Sequence, residues 1–213
     1  MYTADFETTT NPNDCRVWAW GVCNIDKPEE FEYGNSIDSF MDFLFNSGNG
    51  EFYFHNLKFD AEFIFVWLFE HGFKHTKDKK ERASKTFNTL ISDMGQFYSV
   101  EIVFEIKGKK TRKAKLYDSL KIIPFSVEQV AKGFGLPISK LDLDYTAFRE
   151  KGHVLTDDEI AYLRNDVEIM ARALAVLFKQ NLTKITQASN AMSDYKAVVG
   201  GKAFERWFPE TGL

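Results

Sequence analysis

Tyr2-Thr3-Ala4-Asp5-Phe6-Glu7-Thr8 is the stretch on which the fold turns. Residues 2–7 read as a short first strand. Successive side chains of a strand leave opposite faces, so Asp5 and Glu7, two apart, share one. Two carboxylates side by side repel each other unless positive charge lies between them. A divalent cation suits that position, because hard cations take carboxylate oxygens. Two solvated acids at a strand end would show the same pattern.

Working outward, Arg16–Ile25 (RVWAWGVCNI) and Phe31–Tyr33 read as further strands. Ser36–Phe45 has helical apolar spacing, stopped by Gly48 and Gly50. Glu51–Phe54 reads as a buried strand. Leu57–His71 reads as an apolar helix, with Asn56 as N-cap and Gly72 just past the end. Residues 74–86 are charged and without period, which predicts an exposed, mobile loop. Asn88–Glu105 and Ala114–Tyr117 read as strands joined by a basic hairpin around Gly108-Lys109-Lys110. Val127–Lys132 is a short predicted helix. Thr156-Asp157-Asp158-Glu159 is a capping box opening a helix to about Gln180. Its core stripe runs through Ile160, Leu163, Val167, Met170, Leu174 and Leu177. Residues 183–213 have a mixed pattern and end at Gly212-Leu213. Strands alternating with helices predict one mixed α/β domain over residues 1–213.

Composition narrows the function classes. Of 213 residues, 44% are hydrophobic and 27% charged, as in ordinary globular proteins. No apolar run approaches the roughly 20 residues of a membrane span. The start leads directly into strand-like sequence, which predicts no signal peptide and an intracellular protein. Two cysteines, Cys15 and Cys23, and four scattered histidines predict neither a disulfide framework nor a zinc site. The net charge of −4 carries no basic field announcing nucleic acid, yet a metal-dependent nuclease offsets its acidic pocket with bound ions.

Two further acids complete the pattern. Asn56 and Asp60 lie four apart at a helix start and so share a face; a helix cap and a dipole-favoured acid would look alike. Tyr162 and Asp166 repeat the spacing within the long helix. Asp166 borders the core stripe, so its carboxylate needs an ion pair, hydrogen bonds or a metal. Tyr162 falls on the Asp166 face rather than the core face.

The ordered set, a strand Asp-x-Glu, then Asn-x-x-x-Asp, then Tyr-x-x-x-Asp, resembles the DEDD exonucleases of the tyrosine subclass. Asp5–Thr10, Cys15–Ala19, Tyr53–Asp60, Tyr117–Lys121, Lys140 with Asp142–Tyr145, and Tyr162–Asp166 resemble one group closely. That group is the protein-primed family B DNA polymerases of phi-29-type phages, in their N-terminal 3′→5′ exonuclease domain. The similarity spans essentially the whole chain. The family continues into palm, thumb and fingers, whose aspartate motifs are absent here. The chain therefore reads as an excised or stand-alone exonuclease domain, with about 183–213 a tail leading toward a polymerase domain. The loop at 74–86 looks longer than its counterpart in the family.

The resemblance implies an RNase H-like mixed sheet flanked by helices, and two Mg²⁺ or Mn²⁺ ions held by Asp5, Glu7, Asp60 and Asp166. It implies that Tyr162 orients the attacking water; a phenol, with a pKa of about 10, is a poor base. Lys140 resembles a family lysine that contacts phosphate, though composition alone reads it as a surface lysine. Thr8, Tyr53, His55, Asn56, Phe59, Phe63, Ser119, Leu120 and Tyr145 are the implied ligands of a single-stranded DNA 3′ end. Phe59 and Phe63 also read as helix core, and His55 as a turn residue. The implied activity is proofreading of frayed DNA ends in viral DNA replication, releasing nucleoside monophosphates. A polymerase domain and a priming terminal protein are the implied partners, without membrane contact, in the host cytoplasm if the gene is phage-borne. An RNA-trimming exonuclease has the same four acids. A module that binds single strands or the priming protein without turnover is the other alternative. The −4 charge predicts weak, salt-sensitive DNA binding.

Overall fold

Tyr2–Thr8 forms strand β1, whose period of two aims Thr3, Asp5 and Glu7 one way and Ala4 and Phe6 the other, with buried residues on both faces. The computed structural model describes residues 1–209; Gly212-Leu213, the expected chain end, lies outside them. Val17–Asn24 (β2) is apolar almost throughout because helices cover both of its faces. It is followed by Phe31–Gly34 (β3), helix Ile37–Asn46 (α1), Glu51–Phe54 (β4) and helix Leu57–Glu70 (α2). Next come Lys74–His75 (β5), Thr86–Ile91 (β6), Phe97–Lys107 (β7) and Lys110–Asp118 (β8). Helices Val127–Gly133 (α3), Asp157–Lys179 (α4), Gln187–Val199 (α5) and Gly201–Trp207 (α6) complete the chain.

The strands form one sheet in the order β3-β2-β1-β4-β8-β7-β6-β5. β1, β4 and β8 are mutually parallel neighbours, while β2 and β7 run antiparallel on either side. Phe6, Phe52 and Phe54 pack with Phe40, Leu44, Ile64 and Leu68 of α1 and α2 on one face. Tyr53 and Cys23 pack with Val167, Met170 and Leu174 of α4 and with Val130 of α3 on the other. This is the mixed α/β sheet flanked by helices that the resemblance implied. Among the described residues no helix is long and apolar enough to cross a membrane.

Several expectations need correction. Residues 74–86 are not a featureless loop. Lys74–His75 adds an edge strand parallel to β6, Lys79–Glu81 forms a 3-10 turn, and buried Thr76 donates to the Phe87 carbonyl. Backbone pairing at the sheet edge, to which charge periodicity is blind, orders the segment. The single strand expected over 88–105 breaks at Asp93-Met94-Gly95, where Gly95 takes φ +72° and reverses the chain. Residues 187–207 are two helices, α5 capped by Thr186. Along α4 the buried surface is wider than one stripe: Tyr162, Asp166, Ile169 and Ala173 are buried with it, because α4 lies in the groove of a twisted sheet. Tyr162 is thus part of the interior, whereas Ile160 is only partly covered.

α4 approaches β2 closely at Gly21, where an added Cβ would lie 2.7 Å from Leu163 Cγ. Gly21→Ala is expected to cost about 1–3 kcal/mol by overpacking. Thermal unfolding checks this, as a fall in Tm of roughly 2–12 °C for a chain of this size.

Candidate active site

The C-terminal ends of β1 and β4 face the same way, where parallel strands of open sheets characteristically place ligands. β1 delivers Asp5 and Glu7 there, toward α4. α2, which starts directly after β4, delivers Asp60 in its first turn. α4 delivers Asp166 from the opposite face, fixed by the Thr3 hydroxyl donating to the Val167 carbonyl at 2.7 Å. Four carboxylates from three elements thus converge, and the charges of Asp5, Glu7 and Asp166 act on their neighbours. Burial and the charge of Asp166 push Asp5 up to about 7. Burial, with Asp5 and Asp166 nearby, pushes Glu7 up to about 8. Asp60 is also raised, by burial and then by Asp5.

One cation is built into the cluster. Lys140 Nζ lies 2.6 Å from Asp166 Oδ2 and 5.3 Å from the centre of the Tyr162 ring. Burial alone would lower the Lys140 pKa, but the bond to Asp166 more than offsets this and raises it. Asp166 is itself raised by burial, against the pull of Lys140. The Tyr162 hydroxyl bonds the Tyr145 hydroxyl at 2.6 Å, and burial followed by this bond drives its pKa further above the usual phenol value. It holds its proton rather than acting as a base.

Oδ1 of Asp60 and Oδ1 of Asp166 are buried without a hydrogen-bond partner. Unpartnered buried carboxylate oxygens are costly. Together with the all-oxygen donor set they fit a hard divalent ion such as Mg²⁺ or Mn²⁺. Among the described residues no three acids already stand at ligating separation, and it is the ammonium of Lys140 that sits against Asp166.

A cavity of about 160 Å³ opens beside the acids, lined by Asp5, Tyr53, His55, Lys140 and Asp166 among others. Thr8 and Tyr145 line a second hollow of about 100 Å³. Phe59 is exposed on α2 with Phe63 edge-on to it at 5.8 Å, and Phe63 leans on the core. Ser119 is fully buried; its hydroxyl donates to the Phe54 carbonyl and contacts His55 Nδ1 at 3.1 Å, beneath the cavity rather than in it. Leu120 is half-buried on the 3-10 turn Ser119–Lys121. The structure therefore lines one cavity with Asp5, Tyr53, His55, Lys140 and Asp166 and a second hollow with Thr8 and Tyr145, while Ser119 lies beneath the first and Phe63 against the core.

Asn56 occupies the N-cap position, but its side chain makes no cap bond, and its φ of +79° is left-handed. Asp118 does the capping: its Oδ1 accepts from the N–H groups of Asn56, Leu57 and Leu120. The sequence carries no signal for this role of Asp118, because the helix it caps begins some sixty residues earlier. Asp118→Ala is expected to destabilise the chain by about 1–3 kcal/mol, since it strips buried N–H groups of their acceptor. Urea titration checks this. The Arg149–Glu159 pair also went unread. Arg149 Nε donates to Glu159 Oε1 at 2.7 Å, and its Nη1 donates to the carbonyls of Asp144 and Ala147. This ties the irregular segment carrying Tyr145 to the start of α4.

Comparison with known proteins agrees with this architecture. Residues 41–211 match the family described as DNA polymerase type B, organellar and viral. The chain is 45% identical over its full length to the DNA polymerase of Bacillus phage B103 and 44% identical to that of Bacillus phage phi29, spanning 36% of each. The DNA polymerase of Streptococcus phage Cp-1 is 31% identical over 98% of the chain. Phi29 DNA polymerase complexed with primer-template DNA superposes with a TM-score of 0.93 at 43% identity, over 100% of this chain and 37% of that one. Its complex with single-stranded DNA gives 0.91 over 96% and 36%. The fold is that of the RNase H-like region of these enzymes, and the chain spans little more than a third of their length. It belongs to the type B DNA polymerases, organellar and viral, and corresponds to the N-terminal region of the phi29-type phage members.

Proposed function

We propose that the chain is a metal-dependent 3′→5′ exonuclease that shortens single-stranded or frayed DNA ends, releasing nucleoside monophosphates. The convergence of Asp5, Glu7, Asp60 and Asp166 around unpartnered buried oxygens carries the reading. These acids would hold two Mg²⁺ or Mn²⁺ ions. Bound there, such ions activate a water and stabilise the leaving oxygen of an in-line displacement.

The chain's own residues do the rest. Tyr162, protonated and braced by Tyr145, orients the attacking water through its hydroxyl. Lys140 neutralises Asp166 until substrate arrives, and its flexible stem lets the ammonium turn to a phosphate oxygen. Tyr53 and His55 line the cavity, while exposed Phe59 offers a face to an unpaired base. Stacking of this kind contributes about 1–3 kcal/mol per base and favours unpaired termini. Asn56, Thr8 and Leu120 offer contacts to the strand at the rim, Phe63 backs Phe59, and the Ser119 hydroxyl sets the position of His55.

Residues 1–213 act as one exonuclease domain, and about 183–213 lead toward a polymerase domain. In such an assembly, with a priming terminal protein, the site proofreads: a mispaired end frays more readily and reaches it more often. The test is a 5′-labelled single strand in Mg²⁺ or Mn²⁺. The expected result is a ladder shortening from the 3′ end. A folded, metal-bound chain that leaves the strand intact would overturn the reading in favour of a binding module.

A further inference from the structure

The net charge of −4 conceals a strong segregation. Residues 74–115 hold twelve lysines and arginines against five acids, a local excess of +7, so the remaining residues sum to −11. The fold concentrates that excess. Lys74 pairs beside Thr86 at the start of β6, which lies opposite Val103 near the end of β7. Lys107 pairs with Lys110 across the β7–β8 turn. The Ile106 N–H donates to Ser84 Oγ, and the Lys85 N–H donates to the Phe104 carbonyl, so the end of segment 77–85 lies against the part of β7 that leads into that turn. Lys77, Lys80, Lys85, Lys109, Lys110 and Arg112 are exposed there. Acidic partners among the described residues go instead to Arg82, Lys107, Lys113 and Lys115.

This basic end is the far end of the sheet. β8 begins at Lys110 and ends at Asp118, beneath the acid cluster, so about 26 Å separates the two at strand rise. A polyanionic strand meets an acidic cleft at one end and, at the other, exposed ammonium groups that have no acidic partner among the described residues. We infer that the β7–β8 turn and segment 77–85 form a second docking surface for single-stranded DNA, holding the phosphate backbone upstream of the terminus in the cleft. The inference rests on the exonuclease reading for the identity of the strand. Phosphate contacts by lysine are independent of sequence and release counterions, so their signature is salt dependence. The surface supplies the affinity that the acidic cleft lacks.

The test uses the full chain in an Asp5→Ala, Asp60→Ala background, which prevents cleavage. Anisotropy of a labelled 20-mer and a labelled 4-mer is followed across salt concentrations. With Lys77, Lys80, Lys109 and Lys110 all changed to glutamine, the 20-mer is expected to weaken at least tenfold at low salt. Its log–log salt slope should become shallower by about 3, at roughly 0.7 per lost phosphate contact. The 4-mer, which fills only the cleft, should bind as before, and the matching arginine variant should keep the original slope. An unchanged slope for the 20-mer, or equal weakening of both oligonucleotides, would overturn the proposal. So would capture of an acidic polypeptide that the 20-mer fails to displace, which would make the surface a protein contact. Trimming of the 4-mer by the chain with intact acids reports separately on the exonuclease reading.

Discussion

With Asp5 and Asp60 both changed to alanine, cleavage of a labelled single strand is expected to fall at least about 10³-fold. If the site holds metal as proposed, each ion would supply several kcal/mol of transition-state stabilisation, and each 1.36 kcal/mol is tenfold in rate. The same residues should have the opposite effect on the stability of the metal-free chain. Asp5 and Glu7 are raised to about 7 and about 8, so the folded state binds protons that the unfolded state has released. Their favourable contribution is therefore fully present below about pH 4 and is lost as pH rises through 7 to 8. Over that window metal-free stability should decline with pH. Asp60→Asn removes a carboxyl whose charged form is disfavoured by burial and then by Asp5, so it should raise the metal-free Tm at pH 8 by roughly 2–8 °C and by less at pH 5. It should also diminish the stabilisation that added Mn²⁺ gives the original chain. Calorimetry at the two pH values, with and without Mn²⁺, checks this. A shift of the same size at both would mean that charge repulsion is not what Asp60 contributes.

Changing Arg149 to alanine is the second large effect. Arg149 and Glu159 are both nearly covered, at 7% and 9% exposure, and the guanidinium lies 4.1 Å over the Trp18 ring. Burial would raise the Glu159 pKa, yet the Thr156 N–H, His153 and Arg149 together lower it to about 2. Removing Arg149 strips Glu159 Oε1 of its charged partner, leaving only His153 and the Thr156 N–H on Oε2, and frees the carbonyls of Asp144 and Ala147. The expected cost is about 3–5 kcal/mol, or a fall in Tm of roughly 6–20 °C. Replacing Arg149 and Glu159 together by methionine should recover much of that loss, because no charge is then stranded. Thermal melts of the single and double variants test the pair. If the double variant were as unstable as the single one, packing on Trp18 rather than charge would be the main contribution. Activity should fall even where folding survives, since Tyr145 loses the tether that holds it against Tyr162.

The sequence made legible those features that repeat or that act within one turn. Period two placed Asp5 and Glu7 on one face, and the spacing of four placed Asp60 and Asp166 on helices whose starts were marked by Asn56 and by the Thr156–Glu159 box. That these elements meet at one sheet end is how the structure assembles them. What stayed hidden lacks a period. Asp118 caps a helix distant in sequence, Arg149 binds carbonyls of an irregular loop, and β5 is two residues held by backbone bonds alone. Asn56 shows the limit: its position was legible, but its left-handed backbone, with capping handed to Asp118, depends on a neighbouring strand. Charge totals misled as well, because −4 averages an acidic cleft against a basic sheet end.

The bond from the Thr3 hydroxyl to the Val167 carbonyl joins residues 164 positions apart. Contacts of such separation close late in folding, because the loop entropy of the intervening chain must be overcome first. A ribosome extending the chain can let β1, β4 and α2 fold as they emerge, but Asp166 reaches Asp5 only after α4 has left the exit tunnel. The acid cluster therefore cannot assemble before α4 has emerged. Any hydrolytic capacity it confers is withheld from nearby nucleic acid until synthesis has passed the last of the four carboxylates.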